Sequence, residues 1–144
     1  MSSEIQKVVA YITNGRRLLV FKHTDFPEAG IQVPAGTVDP GEAPETAVLR
    51  EAYEEIGLTG LELVRYLGQR VVAGHNGPIT RHFFHIHCPG RPPVRWRHFE
   101  YFPSEGPDEP IEFELYWVKW PDEVPAPAGE QDALLATIDW DSLS

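Results

Sequence analysis

One segment, residues 44–57, constrains the fold most, because it is predicted to be a helix with two chemically different sides. Pro44 suits the first turn of a helix, and Gly57 suits its end. Apolar residues recur with helical periodicity and predict a stripe that packs on a sheet: Leu49, Ala52, Tyr53 and Ile56. Three carboxylates project from the opposite side and are expected to face a groove or solvent: Glu51, Glu54 and Glu55.

Strand-like segments surround this helix in the chain. Two short apolar runs, 8–13 and 18–22, are predicted to form a hairpin joined through Asn14-Gly15. Further strands are predicted over residues 31–33, 61–72, 81–87 and 111–120. Because strands outnumber helices and do not alternate regularly with them, the sequence favours an α+β fold with a mixed sheet.

Two segments lack the strand pattern. Residues 89–110 are rich in proline and show no clear periodicity, which predicts a long loop. Residues 130–140 carry apolar side chains at helical spacing, which predicts a second helix packed on the sheet: Leu134, Leu135 and Ile138.

Length and composition narrow the class of protein. A chain of 144 residues is expected to form one domain, residues 1–144. Its formal net charge of -10 argues against nonspecific binding to nucleic acid or to an anionic membrane. Because the sequence lacks a long apolar run and a secretory pattern, we expect a cytoplasmic protein. Cys88 is the only cysteine and is interpreted as a small buried apolar residue.

The three glutamates of the predicted helix break two rules of helix stability. Glu51 and Glu55 are like charges at i and i+4, which costs roughly 0.2–0.5 kcal/mol. Glu54 and Glu55 lie in the last turn, where the helix dipole disfavours anions. Arg50 can pair with Glu54 but cannot neutralise all three. Such violations are typical of functional sites, and clustered carboxylates suit Mg²⁺ or Mn²⁺; a solvated acidic face is the alternative.

The sequence from Gly36 to Leu58 resembles the Nudix box. Glu42 follows Gly36 after five residues, and after seven more come Arg50-Glu51, Glu54-Glu55 and Ile56-Gly57-Leu58. Every fixed position of the family pattern is matched. The resemblance implies an α/β/α sandwich with a mixed sheet between helices. It also implies divalent-metal-dependent hydrolysis of a diphosphate bond in a nucleoside diphosphate linked to another moiety.

The resemblance further implies roles for individual residues. Mg²⁺ or Mn²⁺ would be held by three carboxylates and one backbone carbonyl, those of Glu51, Glu54, Glu55 and Gly36. The same glutamates and Arg50 would form the catalytic set. Arg50 would pair with Glu42 to fix the loop on the helix, and Gly36, Glu42 and Gly57 would shape the box. Glu51 is the first candidate for the general base, and the alternatives are Glu100, Glu105 and Glu112.

Substrate contacts are predicted within residues 89–110. Three arginines are interleaved there with aromatic residues in an otherwise acidic chain. Arginine forks suit phosphate oxygens, and an aromatic face can stack on a base. A small nucleotide-like diphosphate is therefore expected to contact Arg91, Arg95, Trp96 and Arg97. An anchored surface loop or a homodimer contact is the alternative interpretation.

Three other interpretations stay open. His85 and His87 share one strand face, which is compatible with a zinc site or with ordinary surface side chains. A catalytically silent nucleotide-binding or regulatory module would keep the fold without the reaction. An isomerase acting on an isoprenoid diphosphate would need more cysteine and glutamate machinery than Cys88 offers. The family's substrate-specific signatures are absent from residues 73–76, so the sequence does not identify the substrate.

Overall fold

A seven-stranded sheet carries the described part of the chain. The computed structural model describes residues 5–100, 110–125, 127 and 130–143. Over these residues the strands are β1 (Ile5–Asn14), β2 (Arg17–His23), β3 (Ala35–Thr37), β4 (Glu62–Gly74), β5 (Gly77–His87), β6 (Arg95–Glu100) and β7 (Ile111–Lys119). The α-helix within them, α1 (Pro44–Ile56), lies between β3 and β4 in the chain.

The sheet is mixed, as predicted. Its strand order is β4-β5-β1-β2-β7-β6, and β3 pairs with β1 beside this path. β1 and β5 run parallel, whereas the other strand pairs are antiparallel. The β1–β2 hairpin is confirmed, although Gly15 and Arg16 form its turn and Asn14 pairs with Arg17. These pairings confirm the α+β class.

Two hydrophobic clusters cover the two faces of the sheet, because successive strand residues point to opposite faces. Along β1, Val8, Ala10 and Ile12 belong to the cluster that includes α1, whereas Val9 and Tyr11 belong to the other. The second cluster contains four buried residues from the end of the chain: Leu134, Leu135, Ile138 and Trp140. Cys88 is buried in the first cluster, as expected.

α1 begins and ends where predicted, but it is rotated relative to the prediction. The expected apolar stripe included Tyr53, which is 54% exposed. Glu51 and Glu55 are instead buried, at 3% and 6% exposure. The residues on the buried side are Ala47, Val48, Glu51, Ala52, Glu55 and Ile56. Among the described residues, no helix is long and apolar enough to cross a membrane.

The predicted second helix over residues 130–140 is wrong. Short 3₁₀ turns replace it, at Leu135–Thr137 and Trp140–Ser142. In an α-helix the carbonyl of Gln131 would accept from the amide of Leu135. Here that carbonyl accepts from the Tyr11 hydroxyl, which in turn accepts from the Leu134 amide at 3.3 Å. Tertiary hydrogen bonds therefore replace the helical ones, while the predicted apolar residues are still buried.

Two further strand predictions need correction. Residues 31–33 form only an isolated bridge between Gln32 and Phe21, and the strand lies further on, at β3. The predicted loop over 89–110 contains β6, which pairs antiparallel with β7. β6 alternates half-buried or buried Trp96, His98 and Glu100 with exposed residues, so its period of two is carried by polar and aromatic side chains. Residues 101–109 of that segment lie outside the described residues.

We expect Tyr11→Phe to lower the free energy of unfolding by about 1–3 kcal/mol, because it leaves the half-buried carbonyl of Gln131 and the buried amide of Leu134 without their partner. Urea denaturation measures this change. Tyr53→Phe is the matched control, since Tyr53 is exposed on α1, and should change stability by less than about 0.5 kcal/mol. Equal effects in the two variants would contradict the role given to Tyr11.

Candidate active site

Arg50 joins the loop before α1 to the helix. Its Nε and Nη2 donate to the two carboxylate oxygens of Glu42 at 2.8 and 2.9 Å, which confirms the predicted pair. Nη2 also donates to the carbonyl of Thr37 at 3.1 Å. Nη1 donates to Glu51 at 2.9 Å and to Glu54 at 3.3 Å. A single guanidinium therefore holds β3, the loop and the helix together.

The Glu51 side chain fits only because residue 36 is glycine. An ideal Cβ at Gly36 would lie 2.0 Å from Cδ and 2.2 Å from Oε2 of Glu51. One turn later, an oxygen of Glu55 accepts from the backbone N–H of Ala35 at 3.1 Å. The inward side of α1 thus places both carboxylates against β3. This arrangement differs from the predicted outward face shared by all three glutamates.

A third buried carboxylate comes from β6. Glu51, Glu55 and Glu100 each offer an oxygen, and these oxygens lie within 4.8 Å of one another. These three side chains, all within the described residues, lie close enough together to share a metal ion. We call these three residues the carboxylate cluster. Its third member comes from outside the helix and was expected only as one of several alternative bases.

The carboxylate cluster is electrostatically strained. Burial raises the pKa of Glu51 to about 7, against the opposing effect of Arg50. Burial, together with the charges of Glu100 and Glu51, raises the pKa of Glu55 well above its usual range. Burial and the charge of Glu54 also raise the pKa of Glu100. A bound cation would relieve this repulsion, because it favours the charged form of all three groups.

Glu54 has a different environment from its neighbours. Its side chain is 41% exposed and lies 3.3 Å from Arg50 at i and i+4, as predicted. It is not a member of the carboxylate cluster, although its charge raises the pKa of Glu51 and Glu55. Glu54 therefore lies at the rim of the site.

A cleft opens beside the carboxylate cluster, with Gly36, Glu55 and Glu100 in its wall. Other lining residues include Lys7, His23, Gln32, Arg81 and Gln131. Lys7 and Arg81 are register partners on β1 and β5, so two cationic residues lie side by side in an acidic protein. Neither residue was predicted to lie at the site, because each has the sequence context of an ordinary polar residue in or beside a strand. Their proximity follows only from the parallel β1–β5 pairing.

His23 contributes an unpartnered polar atom to this cleft. Its Nδ1 is buried and has no hydrogen-bond partner among the described residues. Burial lowers the pKa of the imidazole, and its ring lies edge-on to Phe113 with centroids 4.9 Å apart. Buried polar atoms normally have a partner, so this nitrogen marks a place where a ligand group would gain a hydrogen bond.

The residues predicted to bind substrate lie elsewhere. Arg91, Arg95 and Arg97 are exposed and do not line the cleft described above. Arg95 pairs with Glu114 and lies over the ring of Tyr116, whereas Arg97 lies 3.9 Å from Glu112. Trp96 packs against the core on the α1 side. The structure therefore brings the box residues together and places the three arginines apart from the cleft, whereas Trp96 packs against the end of α1.

His85, His87 and Glu112 lie outside the carboxylate cluster. His85 is buried, and its Nε2 lies 2.7 Å from the hydroxyl of Thr13, so it is not a surface side chain. His87 shares no three-residue ligand group with it among the described residues. Glu112 accepts from the Thr24 hydroxyl at 2.7 Å, and the other alternative base, Glu105, lies outside the described residues.

A family model described as NUDIX domain matches residues 5–134. The chain belongs to this family. Nudix enzymes generally use divalent metal ions and act on small nucleotide-like substrates, and the carboxylate cluster is compatible with such an ion.

Individual relatives differ in length and identity. An RNA pyrophosphohydrolase of Vibrio cholerae is 40% identical over 77 residues, which cover 54% of this chain and 38% of the relative. The solved MutT NUDIX hydrolase from Burkholderia pseudomallei is 26% identical with a TM-score of 0.64, covering 94% of this chain and 98% of that one. A Caenorhabditis elegans Ap4A hydrolase shares the fold, with a TM-score of 0.61 and 18% identity over 92% and 93% of the two chains. The chain thus matches well under half the length of its curated relative.

Within the Nudix box, we expect Gly36→Ala to displace Glu51, because the added methyl group overlaps the carboxylate. The substitution should lower the free energy of unfolding by about 1–3 kcal/mol in the otherwise native protein. In a Glu51→Ala background the overlap is gone, so the cost should fall to within about 0.5 kcal/mol. Urea denaturation of the four proteins measures the difference, and equal costs in both backgrounds would exclude the contact.

The raised pKa of Glu51 predicts a pH-dependent stability of the metal-free protein. Between the usual value of 4.5 and about 7, the folded state holds a proton that the unfolded state has released. Stability therefore falls as pH rises through this window, by roughly 3 kcal/mol at most for Glu51.

Glu51→Gln does not titrate, so it removes this contribution together with the effect of the Glu51 charge on the pKa of Glu55, which acts in the same direction. Burial lowers the pKa of His23 and His85, so these groups contribute the opposite slope in both proteins. In EDTA, the stability of Glu51→Gln relative to the native protein should rise between about pH 5 and about pH 8. A difference that is constant or that falls over this range would refute the prediction.

Proposed function

We propose that this protein is a divalent-metal-dependent pyrophosphohydrolase that hydrolyses a diphosphate bond in a nucleoside diphosphate linked to another moiety. The observation that carries the proposal is the carboxylate cluster, in which three buried like charges come together next to an open cleft. Burying several carboxylates is costly unless a cation is bound with them. Membership of the Nudix family supports the same reaction class.

The cluster fits Mg²⁺ or Mn²⁺ by its donor chemistry. Both ions prefer hard oxygen ligands, and neighbouring oxygens around octahedral Mg²⁺ lie about 3 Å apart, with opposite ones about 4 Å apart. Oxygens within 4.8 Å of one another would need only small side-chain rotations to reach such positions. We assign Glu51, Glu55 and Glu100 as metal ligands. Glu54 and the carbonyl of Gly36 would supply further ligands at the rim, as the family resemblance implies.

The reaction would join a water oxygen to phosphorus and break a P–O bond, with the electron pair passing to the leaving phosphate. A bound Mg²⁺ or Mn²⁺ would neutralise phosphate oxygens and lower the pKa of a nearby water. Arg50 orients Glu51 by holding one of its oxygens. A carboxylate would accept the proton of the water, and Glu51 is the first candidate, with Glu100 the alternative.

The cleft would bind the substrate. Lys7 and Arg81 offer positive charge for phosphate groups beside the carboxylate cluster. The unpartnered Nδ1 of His23 would hydrogen-bond another part of the substrate. This assignment takes the place of the predicted contacts from Arg91, Arg95, Trp96 and Arg97, which lie away from the cleft.

We expect Mg²⁺-dependent release of phosphate-containing product from one substrate class, and a loss of about 10²-fold or more in kcat for Glu55→Gln. The panel would contain nucleoside triphosphates, nucleotide sugars, ADP-ribose and dinucleoside polyphosphates. It would also contain 5′-triphosphorylated RNA, because a curated relative is named RNA pyrophosphohydrolase. Glu45→Gln is the matched control, since Glu45 is an exposed glutamate of the same helix.

Two comparisons make this experiment decisive. Glu51→Gln and Glu100→Gln, assayed at saturating Mn²⁺, would separate the two candidate bases. The variant that lacks the general base should show the larger decrease in kcat. Turnover by Glu55→Gln equal to that of Glu45→Gln would contradict the site assignment. Silence of the native protein across the panel, with Mn²⁺ bound, would favour a catalytically silent nucleotide-binding module.

A further inference from the structure

The last turn of α1 is fastened by side chains of β6. Carbonyl groups at the end of a helix have no partner within the helix. Here the Glu54 carbonyl accepts from Nε2 of His98 at 2.8 Å, and the Ile56 carbonyl accepts from Nε1 of Trp96 at 2.9 Å. We call Trp96 and His98 the helix clamp. The two clamped carbonyls lie on either side of Glu55 in the sequence.

Contacts of the His98 ring determine both which of its nitrogens is protonated and where the ring lies. A carbonyl oxygen can only accept, so Nε2 of His98 carries the proton in this contact. The ring also lies against Gly57, where an ideal Cβ would come within 2.7 Å of two ring atoms. Gly57 has φ of 77°, a conformation that glycine adopts without strain. Residue 57 is therefore glycine for two reasons, one of which is the helix clamp.

The same strand face that clamps the helix also carries Glu100. Trp96, His98 and Glu100 alternate along β6 and all lie on the α1 side of the sheet. Glu100 meets Glu55 in the carboxylate cluster. β6 thus bonds to the backbone on both sides of Glu55 and also carries Glu100, the carboxylate that lies close to Glu55.

We propose that Trp96 and His98 are positioning residues that set the spacing between Glu55 and Glu100 and thereby the affinity of the carboxylate cluster for a divalent cation. The proposal rests on the metal site of the proposed function but is independent of the substrate. Groups that orient metal ligands without touching the metal commonly change affinity by 10- to 100-fold when they are removed. The helix clamp acts one step further away, through the backbone, so an effect of about tenfold is expected.

A matched pair of tryptophans provides the central test. Nε1 of Trp117 donates to the carbonyl of Pro93 at 2.9 Å, the same distance as in the clamp, but this carbonyl does not belong to the helix. The two tryptophan rings lie 6.4 Å apart between centroids, so either substitution alters the same ring contact. Trp96→Phe and Trp117→Phe therefore delete the same chemical group with the same kind of partner. Mn²⁺ would be titrated into each metal-free protein, and free Mn²⁺ would be measured by electron paramagnetic resonance. Amide hydrogen exchange of residues 53–57 would be followed without metal.

We expect Trp96→Phe to raise the Mn²⁺ dissociation constant about tenfold and to speed exchange in residues 53–57, whereas Trp117→Phe should leave both within about twofold of native. His98→Phe should act like Trp96→Phe. His98→Gln should recover part of the affinity, because its amide can still donate to the Glu54 carbonyl.

Two results would overturn the proposal. One is an unchanged Mn²⁺ dissociation constant in both Trp96→Phe and His98→Phe. The other is an equal loss of affinity in Trp117→Phe, which would indicate a general effect of destabilisation. Because these measurements need no turnover, they separate this inference from the proposed function. Clamp-dependent Mn²⁺ binding without hydrolysis would refute the activity alone, whereas metal-dependent hydrolysis with clamp-independent binding would refute the positioning role alone.

Discussion

Arg50 is the residue on which the geometry of the site depends, because two of the carboxylates that it contacts behave in opposite ways. Its bond to Glu42 lowers the pKa of that carboxyl to about 2, whereas Glu51 on the same guanidinium has a pKa of about 7. Burial is the largest influence on the pKa of Glu51, whereas hydrogen bonds from Arg50, two in number against one at Glu51, are the largest influence on the pKa of Glu42. Glu42 also accepts from the amide of Asp39. Arg50 thus keeps Glu42 ionised, whereas its bond to Glu51 does not outweigh the effect of burial on the pKa of Glu51.

An uncompensated charge in the core needs a reason beyond stability. A helix selected only for packing would place an apolar residue or a paired lysine where Glu55 lies, since burying like charges together is unfavourable. Glu55 receives one backbone hydrogen bond, from Ala35, while Glu51 and Glu100 both raise its pKa. Sequences tend to break local rules of stability at functional sites, and here the residue that breaks them, Glu55, lies in the wall of the cleft. The same three buried carboxylates therefore lower the stability of the fold and form the proposed cation site.

The sequence predicted the Nudix box and most strand positions, because these depend on local spacing and periodicity. It mispredicted the rotation of α1, since an amphipathic stripe assumes that carboxylates avoid the core, whereas Gly36 makes room for Glu51. β6 was missed because its inward residues are Trp96, His98 and Glu100 rather than a simple apolar series. Lys7 and Arg81 came together only through strand pairing between distant segments. Long-range contacts, not local propensity, decided each of these cases.

The exposed arginines of β6 lie outside the site, on the strand that supplies Glu100 to it. Arg95 pairs with Glu114, and Arg97 approaches Glu112, both across the β6–β7 ladder on the face opposite the helix clamp. Exposed ion pairs contribute little to stability, typically about 0–1 kcal/mol. The register of β6 depends instead on its alternation of inward and outward residues, because a slip of one residue turns every side chain of a strand to the other face. Such a slip would replace Glu100 by Phe99 in the carboxylate cluster and remove both clamp residues from α1. The inward series of Trp96, His98 and Glu100, and not the exposed arginines, therefore determines what β6 contributes to the site.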